Sequence, residues 1–472
     1  MESASIHWTG FPRFACHHTL KDSRRLRLLR NLRYLFERVS LLNLLFVLGA
    51  VPGPVMAQVL PPTSNPAASQ VAPGTGELGR LLGLPADGAL RISGVWVGNA
   101  TGQWSGGLSR STDEAQELLV EASLDLGKAI GLENTWIWVQ GLQVNATSNA
   151  GRASGSVQGS NSLVAAPPLD RTELFEYAIR KDFFEGRLRV VAGKQSASTV
   201  FANMNRPDAT DDPRYEVSSL TSLAFTPVYS MPTLLGRLPG YTNSALGLRF
   251  TLQPGWFDNR SYLSAGVFDG RGGLGAASVQ TGLTSPSLSG PLFNIMEVGS
   301  GWVVGDARKP GSFGVGVWSQ GGESLLCNPL DPQQCISDLG AWGLYVLLDQ
   351  RLSSFRADQD SSGITAFFSA GWSPSITNQM NASITGGFTL QGPLEARPND
   401  SLGVGLSWAR LNTRGFLSEA FNSHELMLQG YAQIALAEAL FFQPTLTLLP
   451  RVGNKDAGND SLSGLLQLTM LF

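Results

Sequence analysis

The chain has 472 residues, a formal net charge of −3 and 43% hydrophobic residues. That balance offers no basic surface for a nucleic-acid partner. Of four histidines and three cysteines, His7, His17, His18 and Cys16 cluster near the N-terminus, which argues against a His/Cys metal centre in the remainder. The 54 glycines, 11 tryptophans and 23 phenylalanines suit a large β protein better than a helical one.

The first recognisable segment is an export signal. Arg24, Arg25, Arg27, Arg30 and Arg33 form a basic region, "LLNLLFVLGA" (41–50) an apolar one, and Val55 and Ala57 a small-residue cleavage site before Gln58. The apolar stretch is too short for a membrane anchor, since a spanning helix takes about 20 apolar residues. No cysteine follows the site, so this is not a lipoprotein signal. Residues 1–57 are therefore read as a signal peptide, its long lead-in matching a mis-assigned start codon. Residues 58–76 have the Pro/Ala/Ser/Gly composition of a linker, and "ELGRLLGL" (77–84) suits a short helix, so 58–89 form a periplasmic linker ahead of a barrel spanning 90–472.

From Leu90 onward the pattern has period two. In "ALGLRFTLQ" (245–253), Leu246, Leu248, Phe250 and Leu252 oppose Gly247, Arg249, Thr251 and Gln253. Glu425, Gln429, Tyr431 and Gln433 oppose Leu426, Leu428 and Ile434; Gln443, Thr445 and Thr447 oppose Phe442, Leu446 and Leu448. Side chains alternate across a sheet in this way. The segments run to about 9–13 residues, near what a tilted membrane strand needs and longer than the globular average. Short turns ("GKAIGLEN", "RKDFFEG", "PGWFDNR", "GDARKPG", "ALAEA") alternate with long polar stretches at 147–169, 196–242, 270–290 and 320–338. With 218–226 assigned to a loop, about sixteen strands remain, an even number as in bacterial outer-membrane barrels. The expected fold is all-β: a transmembrane antiparallel barrel with long extracellular loops and short periplasmic turns. In lipid only closure satisfies every backbone group, so the last strand, outward on Leu466, Leu468, Met470 and Phe472, must pair with the first. Its terminal aromatic resembles the signal read by the barrel assembly machinery.

"ELFEYAIRKDFFEGRLRVVAGKQ" (173–195), "FANMNRPDATDD" (201–212), "SWARLN" (407–412) and "HELMLQGYAQIALAEALFFQPTLTLLPRVG" (424–453), in that order, resemble the carbohydrate-selective porins of the OprB family. "GQWSGG" (102–107) stands where that family's "GDWGG"-like motif is expected. The resemblance implies a bacterial outer-membrane location and passive diffusion of small sugars or other small hydrophilic solutes, without a cofactor. A homotrimer embedded in outer-membrane lipid stays open beside a single barrel.

The pore candidates follow. The longest loop, 196–242, carries Arg206, Asp208, Asp211, Asp212, Arg214, Glu216 and Arg237 among Phe201, Tyr215, Phe225 and Tyr229. A loop this long is functional or disordered, and in porins such a loop folds inward. Aromatic faces stack on sugar rings, while hydroxyls exchange hydrogen bonds with carboxylates and guanidinia. On the strands, Glu176, Arg180, Arg249, Gln253, Glu425 and Gln429 fall on the polar face. "CNPLDPQQC" places Cys327 and Cys335 in an outer loop, where an oxidising compartment favours a disulfide. "DATDD" and "NKDAGND" lack the spacing and terminal glutamate of a calcium hand. Competing readings are a general or ion/anion-selective porin, a structural or adhesion barrel, and a barrel enzyme; the last would need a nucleophile with a base, and His424 is the only histidine beyond the signal. N-terminal sequencing of outer-membrane material should begin at Gln58; an intact Arg-rich leader would contradict the export reading.

Overall fold

The computed structural model describes residues 76–147, 151–164, 170–204, 223–228, 230–240, 244–255, 260–271, 288, 291–305, 309–328, 331–356 and 362–472. The expected signal, 1–57, lies outside the described residues. After a one-turn helix, Glu77–Leu81, the chain forms β1 (Leu90–Gly106), β2 (Thr112–Asp125), β3 (Thr135–Ala146), β4 (Arg171–Phe183), β5 (Leu188–Gln195), β6 (Ala245–Leu252), β7 (Ser261–Asp269) and β8 (Leu292–Val304). The second half comprises β9 (Lys309–Asn328), β10 (Asp331–Ser354), β11 (Gly363–Trp372), β12 (Met380–Gln391), β13 (Ser401–Leu411), β14 (His424–Ala437), β15 (Leu440–Arg451) and β16 (Ser461–Leu471). Each strand pairs antiparallel with its sequence neighbours, and β1 pairs with β16 to close a sixteen-stranded barrel. At the seam Val95 faces Leu471, and Gly94 and Phe472 exchange backbone hydrogen bonds of 2.7 and 2.9 Å. A side chain at Gly94 would collide with the Phe472 ring, so the terminal aromatic lies over a position left bare for it.

Burial is inverted relative to a soluble protein. Met296, Val298, Val315, Val317, Leu446 and Leu466 are exposed, whereas Glu117, Glu297, Glu425, Gln429 and Gln443 are buried. The alternation therefore sends apolar side chains out to hydrocarbon and polar ones into the lumen. Trp104, Trp342 and Trp372 face outward near one rim, and Phe183 and Phe184 lie near the rim that carries the termini, as expected of aromatic girdles at two interfaces.

At the terminal end the expected turns after β2, β4 and β14 are present, while much of "PGWFDNR" and "GDARKPG" lies outside the described residues. The one after β2 is a short helix, Leu126–Ile130, capped by Asp125 Oδ1, which accepts from the Gly127 (2.8 Å) and Lys128 (3.2 Å) amides, and ended by Gly131 at φ 79°. The contrast between ends is less uniform than the sequence suggested: residues 392–400 make a longer connection at the terminal end, while 107–111 and 373–379 are short ones at the far end. One expected loop is corrected. Residues 320–328 and 331–338 are strand, not loop: β9 and β10 continue past the barrel as a paired hairpin, with Glu323 opposite Leu339 and Cys327 opposite Cys335, and the two cysteines form a disulfide. Extended alternating residues keep pairing beyond the membrane because the partner strand is already alongside.

Leu248 lies mid-strand on the outward face of β6. Leu248→Arg should destabilise the barrel by roughly 2–4 kcal/mol if that position sits near the bilayer midplane, measured by urea titration of folding into lipid vesicles.

Candidate functional site

The third far-end connection, between β5 and β6, turns into the barrel over its described residues, 196–204, 223–228 and 230–240. Phe201, Phe225, Met231 and Leu234 are fully covered and cluster with inward side chains of the wall, among them Phe268 on β7, Phe293 on β8, Tyr345 on β10 and Phe367 on β11. Glycines on the lumen face make room for it. A side chain at Gly266 would crowd Phe201, one at Gly371 would strike Met231 and Thr233, and one at Gly405 would strike Leu223 and Phe225. Burial of these aromatic and aliphatic groups, worth about 1.5–3 kcal/mol each when complete, holds the connection against the wall.

Polar side chains of the strands fix it in place. Glu297 on β8 accepts from the Tyr262 hydroxyl (2.6 Å), the Tyr345 hydroxyl (2.6 Å) and the Ala202 amide (3.0 Å). Ala202 sits at φ 53°, a left-handed conformation unusual for a residue with a Cβ, at the point where the chain is pinned. Gly314 and Gly316 leave space for the two tyrosines. At the far rim Arg237 donates to Asn378 Oδ1 (2.9 Å), Ser324 Oγ (2.8 Å) and Thr377 Oγ1 (2.6 Å), tying the connection to the β9 extension and to residues 373–379. Burial lowers its guanidinium pKa from the ordinary value, and Asp338 opposes that shift.

The second connection, between β3 and β4, also enters the lumen over its described residues 151–164, which the sequence reading missed. Glu425 on β14 accepts from Ser156 Oγ (2.8 Å), the Val157 amide (2.8 Å), the Gln158 amide (3.1 Å) and side chain (3.2 Å), and the Gly453 amide (2.9 Å). Gln429 Oε1 accepts from the Ala224 (2.6 Å) and Phe225 (3.1 Å) amides, while its Nε2 donates to Ser160 O (3.3 Å) and Thr447 Oγ1 (2.8 Å).

On the opposite wall, Glu176 on β4 accepts from the Ser196 amide (2.6 Å) and from Trp138 Nε1 (3.1 Å). Arg180 pairs in a fork with Asp182 (2.8 and 2.5 Å), and its guanidinium lies 4.8 Å from the Trp136 ring centre. Arg189 also reaches Asp182, at 3.4 Å. Arg249 donates to Gln195 Oε1 (2.8 Å).

Glu176, Arg180, Arg249, Glu425 and Gln429 thus do point inward, whereas Gln253 falls just past the end of β6; Glu425, Gln429 and Glu176 are engaged by loop backbone. Arg206, Asp208, Asp211, Asp212, Arg214 and Glu216, with Tyr215 and Tyr229, lie outside the described residues. Trp136, Trp138 and Glu297 were not singled out from sequence. The first two were readable: in "TWIWVQ" both share the parity of inward Gln140. Among the described residues no cluster of His, Cys, Asp and Glu could hold a metal.

A model of the carbohydrate-selective porin, OprB family matches residues 109–472. The chain belongs to this family. It is a carbohydrate-selective porin of the bacterial outer membrane, and both family and fold are those of channels. No curated protein matches its sequence. Among solved structures, the high-pH structure of Pseudomonas putida OprB is similar at 17% identity with a TM-score of 0.68, covering 84% of this porin and 96% of that chain. The low-pH structure of the same protein gives 13% identity and a TM-score of 0.49, over 84% and 97% of the two chains. The outer membrane channel DcaP of Acinetobacter baumannii gives 9% and 0.45, over 82% and 99%. The first of these supports the barrel fold.

A glycine seat can be tested directly. Gly371→Val should leave the barrel folded, with its heat-shifted gel mobility unchanged, yet lift Met231 and Thr233 off the wall. Single-channel conductance should then differ from the parent porin, with noisier open-state current.

Proposed function

We propose that solutes pass the porin along the wall formed by β3, β4 and β5, and that sugars engage Trp136, Trp138, Arg180 and Asp182 on the way, with Glu176 holding the Ser196 end of the adjoining connection. The observation that carries this reading is the accessibility of Arg180: its side chain is 28% exposed, whereas that of Arg189, on the same carboxylate, is 4% exposed. Trp136 and Trp138 are likewise only half-buried. An indole face, a guanidinium and a carboxylate within one patch offer stacking for the apolar face of a ring and paired donors and acceptors for its hydroxyls. The described inward segments, 151–164, 196–204, 223–228 and 230–240, lie against other strands of the wall and so bound the path. Passage is passive and involves no covalent step.

Mixed charge favours a sugar over an anion as the preferred solute. An anion pore is lined by cations without balancing acids, and here both neighbouring arginines are paired with Asp182, which leaves a mixed patch instead of a purely cationic one. The terminal strand, with Phe472 over Gly94, serves as the element the assembly machinery recognises.

Trp136→Ala should slow sugar entry into proteoliposomes severalfold while changing salt conductance little. Arg180→Gln should move the reversal potential under a salt gradient toward cation preference. If neither variant alters sugar flux or reversal potential, the path does not run along this wall.

A further inference from the structure

The two inward connections are bonded to each other as well as to the barrel. The Ser162 amide donates to Ala224 O (2.8 Å) and the Thr226 amide to Gly159 O (3.0 Å), a backbone bridge between segments about sixty residues apart in sequence. Gly159 holds φ 88°, and a side chain there would collide with Thr226, so the close approach depends on a bare backbone. Both segments meet β14. Glu425 holds 156–158 together with Gly453 of the last connection, and Gln429, four residues on and on the same face, holds Ser160 with one end of its amide and Ala224 and Phe225 with the other. Gln158 continues the chain of bonds by accepting from Ser407 Oγ (2.6 Å) on β13.

We propose that Glu425 and Gln429 form a post on β14 that makes the second and third connections one mechanical body, so that releasing the second also loosens the third. Glu425 is a positioning residue here: it bonds only the second and last connections, yet controls the third through the 159–162/224–226 bridge. A carboxylate suits the task because it is acceptor-only and can take all five donors at once. An amide in its place turns one oxygen into a donor facing N–H groups, leaving at least two of them unpaired in a buried site. The proposal rests on the reading that these connections bound the solute path, but its test is independent of transport.

The test uses the whole porin in lipid vesicles with Cys16→Ser, so that with Cys327 and Cys335 bonded, one introduced thiol is free. Val228→Cys reports on the third connection: Val228 is buried, and its amide bonds only within its own turn, to Phe225 O. Labelling with a membrane-impermeant maleimide should be slow in that parent and several-fold faster after Glu425→Gln. Gln433→Leu breaks a bond between β14 and β15, to Gln443 (3.2 Å), and should leave labelling at the parent rate. If Glu425→Gln does not insert, Gln158→Ala, on the connection itself, carries the same expectation. Unchanged labelling in the folded variant, or equal acceleration by Gln433→Leu, overturns the coupling. Conductance recorded alongside separates the two readings: faster labelling with unaltered conductance keeps the post and removes the connections from the solute path, whereas altered conductance with parent-rate labelling does the reverse.

Discussion

Hydrocarbon offers a peptide group no hydrogen-bond partner, and each group left unpaired there costs several kcal/mol. Everything else in this porin follows from meeting that demand by closing a sheet. Closure by antiparallel pairs throughout sets an even strand count and puts Phe472 beside Gly94, and the surrounding lipid obliges the strands to present an apolar face outward. It also leaves an aqueous lumen, into which further material is added from within.

The added material is loop, and loop backbone inside a barrel raises the same accounting problem as backbone in lipid. The porin meets it with inward side chains. Glu176, Glu297, Glu425 and Gln429 accept amide protons from the incoming chain, while glycines at 266, 371 and 405 make room for its apolar groups. Polar residues on the lumen face thus divide into those that hold loops and those left accessible, Arg180 foremost, that can meet a solute. A count of inward charges does not separate the two groups; their partners do.

The division explains what could be read in advance. The alternation of 245–253, 424–434 and 461–472 exposed the strands, their parity and the seam, because lipid imposes one residue class on one face at every second position. The pairing of Cys327 with Cys335 was legible for a similar local reason, although the hairpin beneath it was not: polar and glycine-rich residues look alike in a loop and in a strand standing clear of the membrane. The roles of Glu425 and Gln429 were hidden more deeply. Their partners are main-chain amides of 157–158 and 224–225, and an amide carries no residue-type signature. The inward path of 151–164 was missed for the same reason, since its Ser, Gly and Asn residues match those of any solvated turn.

The position of β14 also bears on assembly. Val157 and the carboxylate that holds it are 268 residues apart in sequence. Because a chain is made from its N-terminus, the second connection has no seat until nearly the whole protein exists, and contacts of such separation form late. Neighbouring strands can pair first; the β1–β16 seam and the seat of the second connection both wait for the C-terminal strands, and a wall whose seam closes before the loops dock lacks their restriction. A newly inserted barrel would then pass through a stage of greater leakiness than the finished channel, so the speed with which its loops find β14 becomes a matter of envelope integrity as well as of transport.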